Sequence, residues 1–454
     1  MLVKETVIVI PKKIRLPALK NSLHEASSTG ASASIGELYA VPFAKEVGAQ
    51  PVQIGLLTAL SGVVAPLAQL YGTRLLEHGG NRKKIVLTFT LLQALMWLPI
   101  AALAIALHFG YLANASEVIF IILYTLLIAL GNITFPAWFS WIGDLVPENE
   151  RGKYFSLRNR IIGIVGLIVV LAGAFVIDIF KTRGYLLLGF AFLFAIAATF
   201  RLYSLIVLKS QYAPLFQTKP SDHFSFISFL KRMDNFGKFT IYLALFNAAL
   251  MIASPFFAIY MLEELKFSYV TLMLVTLSST LVYLLTIPLM GRLSDRYGNK
   301  RLLQIANVAF IFSPLPWMII RDPILLIIIP QLFAGVANAA FVIGTTNFTY
   351  DSVSPRHRPL CVAYSNIMVG IGTFVGALLG GFILKYYNSG TEISYVFLFG
   401  IAAFLRFLVA FIYLPKIKEI KPVKKFPSPD LNALHPTRAL QHDLTWIKKV
   451  FRTT

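Results

Sequence analysis

The chain has 454 residues, 57% hydrophobic and 14% charged, with a mean hydropathy of +0.71, whereas a soluble domain carries roughly 25% charged residues. A water-soluble fold is excluded, because apolar segments recur from about residue 51 to 414 with no polar surface between them. The single cysteine, Cys361, excludes an internal disulfide, a thiol zinc cluster and a redox pair, and leaves the compartment open.

The chain opens MLVKETVIVIPKKIRLP, a short apolar stretch followed by Pro11, Lys12, Lys13 and Arg15. That order is the reverse of a secretory signal, so no cleaved presequence is expected. A helix crossing the hydrocarbon core needs about 20 mostly apolar residues. Twelve such runs are predicted: 23–46, 52–76, 85–107, 117–143, 160–180, 185–208, 238–262, 268–291, 302–320, 324–350, 361–385 and 394–414. The first is the least apolar. Ala26 to Ser34 holds only serine, threonine, glycine and alanine, with Glu37 soon after, and periodicity supports it better than hydropathy does.

Orientation follows from the 41 basic residues, because Lys and Arg near span ends stay cytoplasmic. Thirty-three fall on one side, in the N-terminal segment, the loops near 82, 155 and 296, residues 209–238, Arg356 with Arg358, and the tail. Both termini are therefore expected in the cytoplasm of a plasma-membrane protein. The net charge of +20 reads as topology and attraction to anionic lipid. Nucleic-acid binding is a poor use of it, since the charge is spread over separate segments. The resulting division is an N-terminal segment 1–22, a six-helix bundle 23–208, a linker 209–237 with an interfacial helix, a second bundle 238–414 and a basic tail 415–454. In the tail, Leu440, Leu444, Ile447 and Phe451 share a helical stripe beside Lys448, Lys449 and Arg452, a pattern suited to the membrane interface or to a charged disordered tail.

The two halves repeat. Gly80-Asn81-Arg82 matches Gly298-Asn299-Lys300 at an offset of 218, Asp144-x-Val146 with Arg151 matches Asp351-x-Val353 with Arg358 at 207, and Ile196-Ala197-Ala198-x-x-Arg201 matches Ile401-Ala402-Ala403-x-x-Arg406 at 205. Parallel duplication of this kind is used by secondary transporters, with a site near the midplane between repeats. Gly291-Arg292-Leu293-Ser294-Asp295-Arg296-Tyr297-Gly298-Asn299-Lys300-Arg301 resembles the major facilitator superfamily signature between spans two and three, repeated between eight and nine. Its first copy, Thr73 to Lys83, is degraded, with Glu77 where the family has Asp and Gly72 one place early. Pro147-x-x-Glu150-Arg151-Gly152 resembles the family's connection between spans four and five. The resemblance covers residues 23 to 414 and implies an all-α membrane protein of twelve transmembrane helices in two pseudo-symmetric halves. It does not extend to a substrate: span five lacks the proline of proton-coupled drug antiporters, and no sugar-porter sequence follows span six or twelve.

The resemblance implies gating roles for Glu77, Gly80, Arg82, Asp144, Arg151, Gly291, Asp295, Arg296, Gly298, Asp351 and Arg358. The turn at Asp295 to Asn299 reverses two helices, Gly298 allowing a positive φ. The Asp295 carboxylate is expected to meet an arginine or a helix N-terminus; the bland alternative is a solvated turn. Glu37 is the one acidic residue read as deep inside a span, and an intramembrane ionisable group is a functional candidate by default. Ser27, Gly30, Ser34 and Glu37 follow helical spacing and are expected to share a cavity face. Polar residues recur at Thr125 and Asn132, at Asn247 and Ser254, and at Gln331, Asn338 and Thr345, on spans four, seven and ten. In the family these spans and span one line the central path, although ordinary interhelical hydrogen bonds explain any one of them.

Arg201 and Arg406 lie about 7 and 8 residues from the cytoplasmic ends, roughly 10–12 Å at 1.5 Å per residue. Snorkelling to the inner headgroups is favoured over anion binding, because spans six and twelve are peripheral in the family. Gly372, Gly376 and Gly380 suggest close helix packing. No mid-span histidine, HExxH or phosphate-binding loop speaks for an enzyme, metal or cofactor. The expectation is a monomeric secondary transporter of a small solute, rocking halves 23–208 and 238–414 about a midplane site, with protons the candidate coupling ion. A non-transporting receptor or scaffold, or an intramembrane transferase using Asp144, Glu148 and Glu150, is the alternative.

Overall fold

The computed structural model describes residues 11–77, 81–112, 114–146, 151–214, 226–231, 234–353, 358–387 and 392–420. Helices account for nearly all of them, and no strand occurs among the described residues. In chain order the first seven are α1 (Lys12–Gly36), α2 (Ala40–Glu46), α3 (Pro51–Glu77), α4 (Arg82–His108), α5 (Ser116–Leu145), α6 (Arg151–Thr182) and α7 (Leu186–Ser210). After a short α8 (Phe226–Leu230) come α9 (Asn235–Met251), α10 (Phe257–Glu263), α11 (Tyr269–Tyr297), α12 (Asn299–Phe312), α13 (Pro323–Ser352), α14 (Arg358–Tyr386) and α15 (Glu392–Tyr413).

Among the described residues, ten helical stretches are long and apolar enough to cross a membrane. The two expected spans outside that set are the first, α1 with α2, and the ninth, α12 with the 3₁₀ turn Leu315–Met318. Both are interrupted, and α1 is rich in small polar residues. The result is an all-α membrane protein of twelve spans in two six-helix halves. The amphipathic stripe expected at 440–451 lies outside the described residues.

The chain forms two compact units, one of Met1–Gln53 with Val64–Pro220 and the other of Ile54–Val63 with Ser221–Thr454. Each pairs its helices in the same way. In the first, α1 packs on α6 and α7, and α4 on α5 and α7; in the second, α9 packs on α14 and α15, and α12 on α13 and α15. The glycines of α14 act as expected: a Cβ at Gly372, Gly376 or Gly380 would overlap the carbonyl oxygens of Ala244, Ala248 and Ile252 on α9. Aromatic side chains fill both cores. Phe43 of α2 is buried against Phe120, Phe190 and Phe194, and Phe239 meets Phe348 with ring centroids 4.4 Å apart.

Among the described residues three spans are broken, each beside a proline. In the first, α1 stops at Gly36, a 3₁₀ turn runs Glu37–Tyr39, and α2 resumes at Ala40. Pro42 has no N–H for the Leu38 carbonyl, which weakens the helix at this point. The indole of Trp97 occupies the space a side chain at Gly36 would need. In the seventh, α9 ends at Met251 and a 3₁₀ turn holds Ser254–Phe256, with Pro255 inside it. In the ninth, α12 ends at Phe312 before Ser313 and Pro314.

The arginines expected to snorkel do not. Arg406 is 2% exposed and Arg201 is 8% exposed. Arg406 donates through Nη1 to the Phe310 carbonyl (2.9 Å) and the Ser313 hydroxyl (3.2 Å), and through Nη2 to the Leu250 carbonyl (3.3 Å). Pro314 lacks the N–H that would serve Phe310, whose carbonyl also accepts from the Ser313 hydroxyl (3.1 Å), and past the end of α9 the Leu250 carbonyl also accepts from the Ser254 hydroxyl (2.8 Å). The cation therefore shares with two hydroxyls the carbonyls that helix breaks deprive of a backbone donor, a stronger demand than the pull of the headgroups.

Candidate functional site

A cavity of about 270 Å³ lies inside the first unit. Its α1 wall is a stripe of every fourth residue, Glu25, Thr29, Ala33 and Glu37, joined by Ser32. Thr90 and Gln93 of α4, Asn132, Thr134 and Trp138 of α5, Arg158 of α6 and Arg201 of α7 complete its polar lining. The expected face of Ser27, Gly30, Ser34 and Glu37 is corrected except at Glu37. Ser27 bonds the His24 carbonyl, whereas Gly30 lies against Ile162 and Ser34 against Gly166, both on α6. Small residues let α6 approach closely there, and the longer polar side chains one step round the helix face the cavity.

Two charged groups missed in the sequence anchor this lining. Arg158 Nη2 meets Glu25 Oε2 at 2.9 Å, and its guanidinium stacks 4.2 Å from the Trp138 ring centroid. Thr29 Oγ1 donates to Glu25 Oε1 (2.6 Å) and accepts from Arg201 Nη1 (2.8 Å). Arg201 Nε donates to Gln93 Oε1 at 2.8 Å. A chain of hydrogen bonds thus runs from Arg158 through Glu25 and Thr29 to Arg201 and Gln93. Glu37, on the same cavity wall, makes no side-chain hydrogen bond or ion pair among the described residues. Glu25 and Arg158 went unread because charges near span ends count as loop charges, and only their distance in space pairs them.

The other polar candidates divide. Asn132 lines the cavity, accepting from Gln69 Nε2 (2.9 Å) and donating to the Ile128 carbonyl (2.8 Å). In the second unit Asn247, Asn338 and Thr345 each bond the carbonyl four residues earlier, at 2.9, 2.8 and 2.7 Å. Gln331 is buried on α13. No hydrogen bond joins any two of these four among the described residues, and Asn338 is exposed.

The gating set also divides, and the two halves differ. Arg82, 2% exposed, holds Asp144 Oδ2 at 2.6 Å, the Ser140 carbonyl at 3.1 Å and the Pro214 carbonyl at 3.0 Å. In the second half the partner of Asp351 is Asn299, which aligns with Asn81 one place before Arg82; it donates to Asp351 Oδ2 (2.8 Å) and accepts from Ser294 (2.5 Å). Gly298 has φ 88°, as its turn required. Asp295 and Arg296 are exposed. Asp295 meets no arginine or helix end among the described residues; Arg296 lies over the Tyr297 ring. Gly291 faces open space. Gly80 and the side chains of Glu77, Arg151 and Arg358 lie outside the described residues. The chain leaving each sixth helix is fastened to its own unit. Lys83 and Trp141 bond the carbonyls of Gln211 and Tyr212. In the second unit the Lys300 backbone N–H donates to Glu419, and Asn235 exchanges two bonds with Lys418.

Two repeated six-helix units, each with a broken first helix, define a membrane transporter for solutes. The chain belongs to the Major Facilitator Superfamily, matching its profile over residues 26–252 and 239–452; members are transporters and not enzymes, and their substrates are small molecules. Multidrug resistance protein 1 of Bacillus subtilis is 26% identical over 105 residues, 23% of this chain and 27% of that protein. Multidrug resistance protein fnx1 of Schizosaccharomyces pombe is 30% identical over 108 residues, 24% of this chain and 20% of that one. The chain spans about a quarter of the length of the curated relatives it matches. A crystal structure of the nucleoside transporter NupG shares the fold, with a TM-score of 0.62 at 17% identity over 89% of this chain and 99% of its own.

Proposed function

We propose that this protein carries a small solute across the cell membrane by alternating access, with Glu37 coupling the movement to protons. What carries the reading is the break in α1 at Glu37, beside a polar cavity, and its counterpart in the other repeat at Ser254, 217 residues on. Discontinuous helices at matching places in two repeats mark transport sites. A carboxyl on such a wall, without a fixed partner, is free to exchange a proton as the cavity opens to either side. Arg82 with Asp144, and Asn299 with Asp351, are the gating contacts on this reading. On this reading the protein works as a monomer, and the distribution of basic residues supports cytoplasmic termini.

The test uses proteoliposomes with an imposed pH gradient and a solute found by a ligand-stabilisation screen. Wild-type protein accumulates the solute when the gradient is present. Glu37→Gln keeps shape and hydrogen bonding, so it retains exchange at equal pH and loses gradient-driven accumulation. Equal accumulation by the variant removes Glu37 from coupling.

A further inference from the structure

We infer that the cavity of the first unit is a binding site for a small monocarboxylate, its carboxylate held by Arg201 and its entry accompanied by a proton on Glu37. This deepens the reading above and rests on it only for the proton.

The repeat supplies the first argument. Arg201 and Arg406 occupy equivalent places, Ile-Ala-Ala-x-x-Arg in both halves. Arg406 turns both terminal nitrogens to backbone carbonyls beside broken helices, Phe310 and Leu250. Arg201 meets no such carbonyl, because α4 beside it runs unbroken from Arg82 to His108. Its two bonds go to neutral side chains, Gln93 and Thr29, that line the cavity with it. A guanidinium this buried, with no direct hydrogen bond to a carboxylate among the described residues, is suited to a planar anion taken in a bidentate fork.

Unsatisfied groups supply the second. Thr90 Oγ1 and Trp138 Nε1 are buried atoms without a hydrogen-bond partner among the described residues, and both residues line the cavity. Thr90 is 0% exposed. Because Arg201 Nε points at Gln93 Oε1, the Gln93 amide presents its own N–H groups elsewhere. The indole and amide N–H groups only donate and the Thr90 hydroxyl can, so a ligand with acceptor atoms would satisfy all three.

Charge fixes the number. Glu25 and Arg158 cancel as a buried pair, leaving Arg201 and Glu37. With Glu37 ionised the set is neutral; with Glu37 protonated it is short of one negative charge. One monoanion restores balance, whereas a dianion such as phosphate overshoots. The charged or titratable groups facing Glu37 are Arg201 from α7, Tyr124 from α5, and Arg158 and Glu25 across the cavity; α4 contributes the neutral Thr90 and Gln93. The volume is just below the roughly 300–1,000 Å³ of drug-sized pockets, so the ligand is small.

The test is thermal unfolding of the purified full chain in detergent at pH 5.5 and 7.5. The probes are lactate, pyruvate and benzoate, all ionised at both values, against benzamide, choline and inorganic phosphate. At pH 5.5 at least one acid raises the midpoint by about 3 °C or more, by ligand linkage, and by less at pH 7.5. Benzamide, choline and phosphate do not. Arg201→Gln abolishes the shift. Thr90→Val removes only an orphaned hydroxyl, keeps the fold and weakens the apparent affinity several-fold. Glu37→Gln makes the shift equal at both pH values. The proposal is overturned if no acid stabilises at either pH, if choline or phosphate does so instead, or if the folded Thr90→Val and Arg201→Gln variants bind as wild type. Such a failure leaves gradient-driven transport by Glu37 standing, since that is read in liposomes and not here.

Discussion

Arg406 lies where α9 and α12 end early, and its guanidinium takes the place of backbone N–H groups the breaks removed. Arg406→Leu removes a charged donor from the Phe310 and Leu250 carbonyls, which keep only the hydroxyls of Ser313 (3.1 Å) and Ser254 (2.8 Å), at about 1.5–3 kcal/mol for hydrogen bonds to a charged group. A lower unfolding midpoint and poorer monodispersity in detergent are expected, with partial recovery in Arg406→Lys, and an unchanged midpoint in the leucine variant would contradict the assignment. The Glu25–Arg158 pair makes a different demand. Removing one partner of a buried pair costs about 3–5 kcal/mol, whereas replacing both with apolar groups is often neutral. Glu25→Leu should therefore unfold well below wild type, and the double variant with Arg158→Leu should regain most of the loss. A double variant no better than the single one would show that the pair supplies more than charge balance. At this scale the sequence was partly legible. Glu37 stood out because nothing apolar explains a carboxylate in a span, but its partners on the α1 wall did not. Thr29 and Ala33 are as unremarkable in sequence as Ser27 and Ser34, and only the contact of Gly30 with Ile162 decides which face closes against α6.

Helices were legible where hydropathy alone decides. The run predicted at 117–143 is α5, Ser116–Leu145, and that at 324–350 is α13, Pro323–Ser352. Breaks were not, although a proline marks each one. Pro66, Pro99, Pro136, Pro288 and Pro330 sit inside continuous helices, so proline by itself does not separate a tolerated residue from a break. Surroundings decide. Arg406 supplies donors at two breaks and Trp97 wedges beside the third, which no local pattern encodes. Glycine spacing was more informative, because a stripe of three on α14 matches the rise of one turn and needs only a flat partner. Gly376→Leu drives a branched side chain into the backbone of α9 at Ala248. Overpacking costs about 1–3 kcal/mol where the structure can shift, and more is expected against a carbonyl. Gly291→Ala has open space and a helical backbone, so it should leave the unfolding midpoint unchanged or raise it slightly. Equal midpoints for the two variants would remove the packing argument for α14.

Across the whole molecule, the repeat and the charge asymmetry are the features that sequence carries most fully, because neither depends on contacts. The structure trims the second without reversing it. Arg82 and Arg158, counted among loop cations, are 2% and 9% exposed and serve buried partners, yet the remaining basic residues still gather on one side of the twelve spans. If that asymmetry sets orientation, the connection between α4 and α5 is external and the linker before α9 is cytoplasmic. Asn114 and Lys231 are exposed in those two connections. Cys361 is fully buried, so it can stay in place without reacting with a bulky reagent. Asn114→Cys in intact cells should be labelled by a membrane-impermeant maleimide, and Lys231→Cys should be labelled only after permeabilisation. Wild type, carrying Cys361 alone, should remain unlabelled in both conditions. The reverse pattern would place both termini outside, and the 33 clustered cations would then need an explanation other than topology.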